Sequence, residues 1–99
     1  MDRARVLNLM EQAKQDLSTR YGVRKLSLFG STARGTSADS SDIDVLVSFD
    51  GPATSDRYFG VQFYLEDLLG RPVDLVPRRG LKRRLKATVL AEAETVLVA

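Results

Sequence analysis

Two aspartates, Asp42 and Asp44, stand one residue apart at the start of the apolar run Ile43–Phe49. On a strand, alternate side chains point to the same face, so the two carboxylates would lie side by side while Ile43 and Val45 point into the core. Two negative charges so close repel each other, and their burial is costly unless they share a cation or a proton. The pair is therefore a candidate site for a divalent cation.

A third acid, Asp74, stands at the centre of Pro-Val-Asp-Leu-Val, a short run that is also typical of a strand. Each acid alone has a simpler structural explanation: Asp42 could cap a turn, Asp44 could face solvent, and Asp74 could lie on an edge strand. All three explanations would have to hold at once. Three acids on two strands therefore favour a site at which carboxylates converge.

Gly30 and Ser31 end a strand-like run and open the stretch Gly-Ser-Thr-Ala-Arg-Gly. This stretch predicts a tight turn into a single helical turn, whose free N–H groups and dipole favour an anion. Gly30 would let the backbone approach a phosphate, Ser31 would add a hydroxyl donor, and Arg34 could pair with phosphate oxygens or a nearby carboxylate. A Gly-Ser pair alone is a weak signal, because such pairs are common in loops.

A single small domain must position these residues, since the chain has 99 residues, of which 43% are hydrophobic and 28% charged. These values are ordinary for a soluble globular protein. No apolar run approaches the roughly 20 residues needed to cross a membrane, and the N-terminus shows no secretory signal, so we expect a cytoplasmic protein without a membrane partner. The chain contains no Cys and no His. Any metal site must therefore use oxygen ligands, which suit a hard cation such as Mg²⁺.

Helices and strands are predicted to alternate along the chain. The predicted helices run from Asp2 to about Tyr21, from an N-cap at Ser55 to a stop at Gly70, and from after Gly80 to about Ala93. The predicted strands are 23–30, 43–49 and 71–77, and residues 95–99 form either a short last strand or an extended end.

The net charge of +2 is small, but the stretch from Arg78 to Lys86 holds six basic residues, and no acid lies between Asp74 and Glu92. This basic run is either a solvated helix face or a surface for phosphates or an acidic partner. Five aromatic side chains could stack on a base, but the helical spacing of most of them favours core packing instead; the five are Phe49, Tyr58, Phe59, Phe63 and Tyr64.

The pattern Gly30-Ser31, ten further residues, Asp42-x-Asp44 and a later Asp74 resembles the nucleotidyltransferase superfamily that includes DNA polymerase beta. The resemblance is closest to the minimal nucleotidyltransferases and covers residues 1–99 as one domain. It implies an α/β (α+β) fold with a mixed β-sheet flanked by helices, and transfer of a nucleoside monophosphate to a hydroxyl with two Mg²⁺ ions. It also implies that the three aspartates hold the metals, that Asp74 helps to deprotonate the acceptor, and that Gly30 and Ser31 hold the β- and γ-phosphates.

Solitary members that this chain resembles are typically antitoxins, which transfer AMP from ATP to a tyrosine of a HEPN-domain ribonuclease toxin. A chain that ends at Ala99 leaves no room for a domain that grips a template, so we expect a partner protein to supply the acceptor. A non-catalytic antitoxin that acts by binding is an alternative, although the intact acidic triad argues against it. Transfer to nucleic acid is the other alternative, and the absence of aromatic residues from Arg78 to Lys86 disfavours it.

Overall fold

The computed structural model describes residues 3–30 and 42–78, together with the backbone of residues 94–98. Two helices are described, α1 (Arg3–Tyr21) and α2 (Ser55–Leu69). The strands are β1 (Val23–Phe29), β2 (Ile43–Phe49), β3 (Val73–Pro77) and β4 (Glu94–Val98), so the alternative of a short last strand is confirmed. The helical turn predicted after Gly30 and the basic helix predicted after Gly80 lie outside the described residues.

The strands form one mixed sheet in the order β3-β2-β1-β4. Strand β1 is antiparallel to both β2 and β4, whereas β2 and β3 are parallel. Parallel neighbours cannot be joined by a tight hairpin, so α2 lies in the crossover that connects them. The predicted mixed-sheet α/β fold is confirmed.

Helix α1 buries one apolar stripe, Val6, Met10, Ala13 and Leu17, whose steps of four, three and four residues follow the helical repeat. The helix ends before Gly22, as predicted. Gly22 has φ +70, and its N–H donates to the carbonyl of Ser18 at 3.1 Å. Among the described residues, no helix is both long and apolar enough to cross a bilayer.

The N-cap of helix α2 lies one residue earlier than predicted. The N-cap is Thr54, whose side-chain oxygen accepts a hydrogen bond from the N–H of Arg57 at 3.3 Å, and Ser55 is the first helical residue. Both residues carry a hydroxyl, so their types could not decide between them. The cap is the residue with an extended backbone, and Thr54 has φ −63 and ψ 160. Gly70 ends the helix as predicted, with φ +67.

The hydrophobic core lies between the two helices and one face of the sheet. Ile43 and Val45 point into it with no exposed surface, as the alternation predicts. Leu46 and Ser27 belong to the opposite face, and they are nevertheless buried, with 2% and 1% of their surface exposed. The centre of that second face is therefore covered as well.

The predicted core packing of the aromatic residues is confirmed for Phe49, Tyr58 and Tyr64, which are partly buried against the core. It is wrong for Phe59 and Phe63, which are 49% and 64% exposed. These two residues are four positions apart and lie on the side of α2 opposite to its buried positions, Val61, Leu65 and Leu69.

Candidate active site

Strand pairing places two of the three predicted acidic residues next to each other. In the parallel register of β2 and β3, Asp44 is the direct partner of Asp74. Neighbouring strands lie roughly 4.8 Å apart, so the two residues leave the sheet side by side. Ile43 and Val73, which precede them, are buried in the core, so both carboxylates point to the opposite face.

Asp42 lies just outside β2 and is exposed, whereas Asp44 is half-buried. The N–H of Ile43 donates to the carbonyl of Pro72 at 3.0 Å. This bond joins the entrances of β2 and β3, and it fixes the register that pairs the two acids inside the strands. Alternation would turn Asp42 to the same face as Asp44 only if the strand continued through it, and β2 begins at Ile43.

Gly30 lies directly against the Asp44 carboxylate. Phe29, the last residue of β1, is the register partner of Asp44, so the chain leaves β1 at the acidic pair. Gly30 has φ +72, and a Cβ built on it would overlap Oδ2 of Asp44 and lie 3.0 Å from its Cγ. Glycine is thus required here for its backbone angle and for the space that the carboxylate occupies.

The carboxylates of Asp44 and Asp74 fit a magnesium ion. They do so as an open site with two ligands, not as a site that surrounds the ion with protein ligands. Among the described residues, no group of three or more Asp, Glu, Cys or His side chains gathers so that it could hold a metal ion. Asp42 therefore does not join Asp44 and Asp74 in such a group, and its role as a ligand stays a prediction. Mg²⁺ is usually held by one or two carboxylates together with substrate phosphates. The paired carboxylates of Asp44 and Asp74 supply that number of hard oxygen ligands.

The predicted phosphate ligands Ser31 and Arg34 lie outside the described residues, as does most of the basic run. Its first residue, Arg78, follows β3 and is half-buried. Arg78 lines a cavity of about 340 Å³ with Ser48, Phe49 and Gly51, at the opposite ends of β2 and β3 from the acids. This cavity gave no signal in the sequence, because two strands and a loop contribute its walls.

Two features of the site were missed by sequence reasoning. The direct pairing of Asp44 with Asp74 depends on the register of two strands that are far apart in the sequence. The apolar pattern assigns each acid to a face of its strand, but it does not say which residue of the other strand lies beside it. The contact of Gly30 with Asp44 was missed because Gly30 was expected to make room for a phosphate. The short spacing of ten residues between Gly30-Ser31 and Asp42 could have indicated this contact. A short connection favours pairing of the two strands that it joins, and β1 and β2 are indeed neighbours.

The nucleotidyltransferase domain family model matches residues 10–96. Protein adenylyltransferase MntA of Thermococcus cleftensis is 39% identical over 85 residues, which are 86% of each chain. A solved structure described as a proposed minimal nucleotidyltransferase has a TM-score of 0.81 and 39% identity, with 95% of each chain covered. A chain in the complex of a tri-AMPylated Shewanella oneidensis HEPN toxin with its MNT antitoxin has a TM-score of 0.69 at 20% identity, covering 98% of this chain and 73% of that one.

The fold and the matched span define a nucleotidyltransferase domain. This chain belongs to the nucleotidyltransferase domain family, and the predicted similarity to minimal nucleotidyltransferases is confirmed.

Proposed function

We propose that this protein transfers AMP from ATP to a hydroxyl group of a partner protein in a Mg²⁺-dependent reaction, and that it thereby acts as an antitoxin. The observation that carries the proposal is the register that sets Asp44 beside Asp74, with Gly30 against the Asp44 carboxylate. Similarity to a protein named as a protein adenylyltransferase supports AMP as the transferred group.

The acidic pair has two tasks in this proposal. Asp44 and Asp74 would hold Mg²⁺, with Asp42 as a further ligand and room for two ions as the resemblance implies. When bound, Mg²⁺ neutralises charge on the triphosphate and orients it for in-line attack. Ser31 and Arg34 would bind phosphate oxygens, as predicted from the sequence. Because such a reaction needs mainly position and charge neutralisation, the absence of His does not weaken the proposal.

The resemblance implies that Asp74 helps to deprotonate the acceptor, and since its side chain is exposed we assign the acceptor proton to it. The acceptor O–H bond breaks and its proton passes to a carboxylate oxygen of Asp74. The acceptor oxygen forms a bond to the α-phosphorus of ATP. At the same time the bond breaks between that phosphorus and the oxygen that bridges the α- and β-phosphorus atoms. The products are an AMP ester of the partner and pyrophosphate.

The acceptor that we propose is a tyrosine of a HEPN-domain ribonuclease toxin. The fold match to a complex of a tri-AMPylated HEPN toxin with an MNT antitoxin supports this choice of partner. ATP is abundant in the cytoplasm, where the proposal places the reaction. Attachment of AMP would add a negative charge and bulk to the toxin, and either change could block a site that must bind RNA.

The test is incubation of the purified protein with α-labelled ATP, Mg²⁺ and the product of the neighbouring reading frame. We expect label on the partner, located on a tyrosine by peptide mass spectrometry, and its loss when EDTA removes the metal. Asp44→Asn with Asp74→Asn should abolish labelling, whereas Glu11→Gln, which changes an exposed acid on α1, should not.

Full labelling by the double variant would sink the proposed mechanism. Inhibition of the partner's ribonuclease activity without ATP would instead indicate an antitoxin that acts by binding. Label on added RNA rather than on the partner would indicate transfer to nucleic acid.

A further inference from the structure

Helix α2 carries an exposed row of side chains on the side that faces away from the core: Asp56, Phe59, Phe63 and Asp67, which we name the acidic aromatic ridge. Phe59 and Phe63 are 49% and 64% exposed. Their rings are stacked, with centroids 6.1 Å apart and planes at 23°. Tyr58 meets Phe59 edge-on at 5.1 Å, so the ridge is held in a defined arrangement rather than free to collapse. Within the described residues these are the large hydrophobic side chains that water reaches most.

A groove of about 690 Å³ lies beside the ridge, between α2 and the end of α1. Arg20, Tyr21, Phe63, Tyr64 and Asp67 are among the residues that line it. The Arg20 guanidinium lies over the rings of Tyr21 and Tyr64, at 5.4 and 5.9 Å from their centroids. Arg20 therefore covers the tyrosine faces of the groove, and the ridge contributes Phe63 and Asp67 to its other side.

The ridge and the acidic pair of the active site face opposite sides of the domain. The inner side of α2 is fixed to β3, because Tyr58 Oη donates to the carbonyl of Leu75 at 2.8 Å and Gln62 Nε2 to that of Val73 at 3.4 Å. The core separates α2 from the sheet, and Asp44 and Asp74 leave the sheet on its far face. A molecule bound at the ridge would leave the active site open.

The charges of α2 indicate what kind of surface fits the ridge. The helix contains three acids, Asp56, Glu66 and Asp67, and a single base, Arg57. Arg57 is already paired with Asp50, at 2.7 Å. An apolar centre with acids at both ends complements a surface of apolar side chains flanked by Lys or Arg. The tyrosine faces of the groove are already covered by Arg20, so the attraction for Lys or Arg rests on the ridge acids Asp56 and Asp67.

The same charges disfavour a second copy of this chain as the occupant. In an antiparallel packing of α2 on α2 that stacks Phe59 on Phe63 of the second copy, the exposed Asp56 of one helix would lie close to the exposed Asp67 of the other. Glu66 is turned toward β3, where its carboxylate accepts from the N–H of Val73 at 2.9 Å. Like charges so placed repel, and the symmetric contact would repeat the repulsion at its other end.

We propose that the acidic aromatic ridge is the docking surface for a partner protein whose contact surface presents apolar side chains flanked by Lys and Arg. Resting on the proposed function, that partner is the protein that receives AMP. Because Asp74 lies on the edge strand β3, to which α2 is hydrogen-bonded, the acceptor segment of the partner would pass around that edge to reach the acidic pair. Docking on the helix side and transfer on the sheet side are then separable properties of this chain.

The test is calorimetric titration of the neighbouring reading-frame product into four variants. Phe59→Ser with Phe63→Ser, and Asp56→Lys with Asp67→Lys, should each weaken partner binding by about 10-fold or more, because central aromatic and paired charged residues dominate interface energies. The matched controls are Phe59→Leu with Phe63→Leu, which keeps an apolar ridge, and Glu11→Lys, which reverses an exposed charge on α1. Both controls should bind nearly as the wild type does. Binding of AMP-PNP with Mg²⁺ should be unchanged in all four variants.

Wild-type affinity in the ridge variants would overturn the docking surface, and so would a wild-type protein that does not bind the partner. A wild-type dimer in sedimentation experiments that the Ser variant abolishes would show a second copy as the occupant and would also overturn it. Partner binding that depends on the ridge, without any transfer of AMP, would support the docking surface while the proposed function fails.

Discussion

Replacement of Gly30 by Ala tests whether the geometry beside Asp44 matters for chemistry or only for the fold. The new Cβ would overlap Oδ2 of Asp44. The clashing atom is the far end of a side chain, so the carboxylate can turn away while the backbone stays in place. We therefore expect a folded variant in which the Asp44 carboxylate is displaced from Asp74.

The two effects of this substitution have different sizes. Gly30 has φ +72, and a left-handed conformation costs Ala about 1–2 kcal/mol relative to an unstrained position. For a domain of this size, each 1 kcal/mol lowers Tm by roughly 4–8 °C. Relief of the overlap requires the carboxylate to move by about 1 Å, and a misplacement of that size can cost on the order of 100-fold in rate. Activity should therefore fall much more than stability does.

Gly70 provides the matched control, because it has nearly the same backbone angle, φ +67, but a Cβ there would meet nothing within 4 Å. Gly70→Ala should lose a similar free energy of unfolding in urea titrations and keep its rate of AMP transfer to the partner. Gly30→Ala should lose about 100-fold in that rate at saturating ATP. Equal activity in the two variants would refute the argument that Gly30 makes room for the Asp44 carboxylate.

Three further predictions follow from the described contacts. Asp42→Ala with Asp44→Ala should abolish transfer and leave the free energy of unfolding unchanged or slightly higher, because the acids repel when no metal is bound; clear unfolding would indicate a structural role. Thr54→Ala should lower the free energy of unfolding by about 1 kcal/mol in urea titrations, since the helix loses its cap, and an unchanged value would contradict that assignment. Partial burial and the hydrogen bond to Asp16 raise the pKa of Tyr64 above its usual value. The associated stability is complete below the ordinary Tyr pKa of about 10 and is lost as the pH rises through the raised pKa, so Tyr64→Phe should remove that alkaline loss in urea titrations from about pH 9 to 11.

Elements with a strong local signal were predictable from the sequence. Gly22 and Gly70 were identified as helix ends because glycine tolerates the left-handed angle that ends a helix, and both have that angle. Strand β2 was predicted with its observed bounds, because Ile43, Val45 and Val47 are β-branched and its one acid, Asp44, lies near its start. These signals act within a few residues, so no knowledge of the rest of the chain is needed.

Features that depend on packing between distant segments were not predictable. Phe59 and Phe63 have the composition of core residues, and only the orientation of α2, fixed by Val61 and Leu65 against the sheet, turns them outward. Leu46 shows the opposite case. Alternation assigns it to the face away from the core, yet it is 2% exposed, because burial on the second face depends on what covers the sheet.

The candidate site lies between these two cases. Asp42, Asp44 and Asp74 were selected one by one as acids out of place in apolar runs, but the parallel register of β2 with β3 makes a pair of only two of them. That pair stands on an edge strand and its neighbour, where Asp74 is exposed and water can screen the repulsion. A closed cage of three carboxylates would repel more strongly and would be costlier to hold without a metal. In the proposed function, an open pair would leave positions on a bound Mg²⁺ for the triphosphate, which brings its own oxygen ligands.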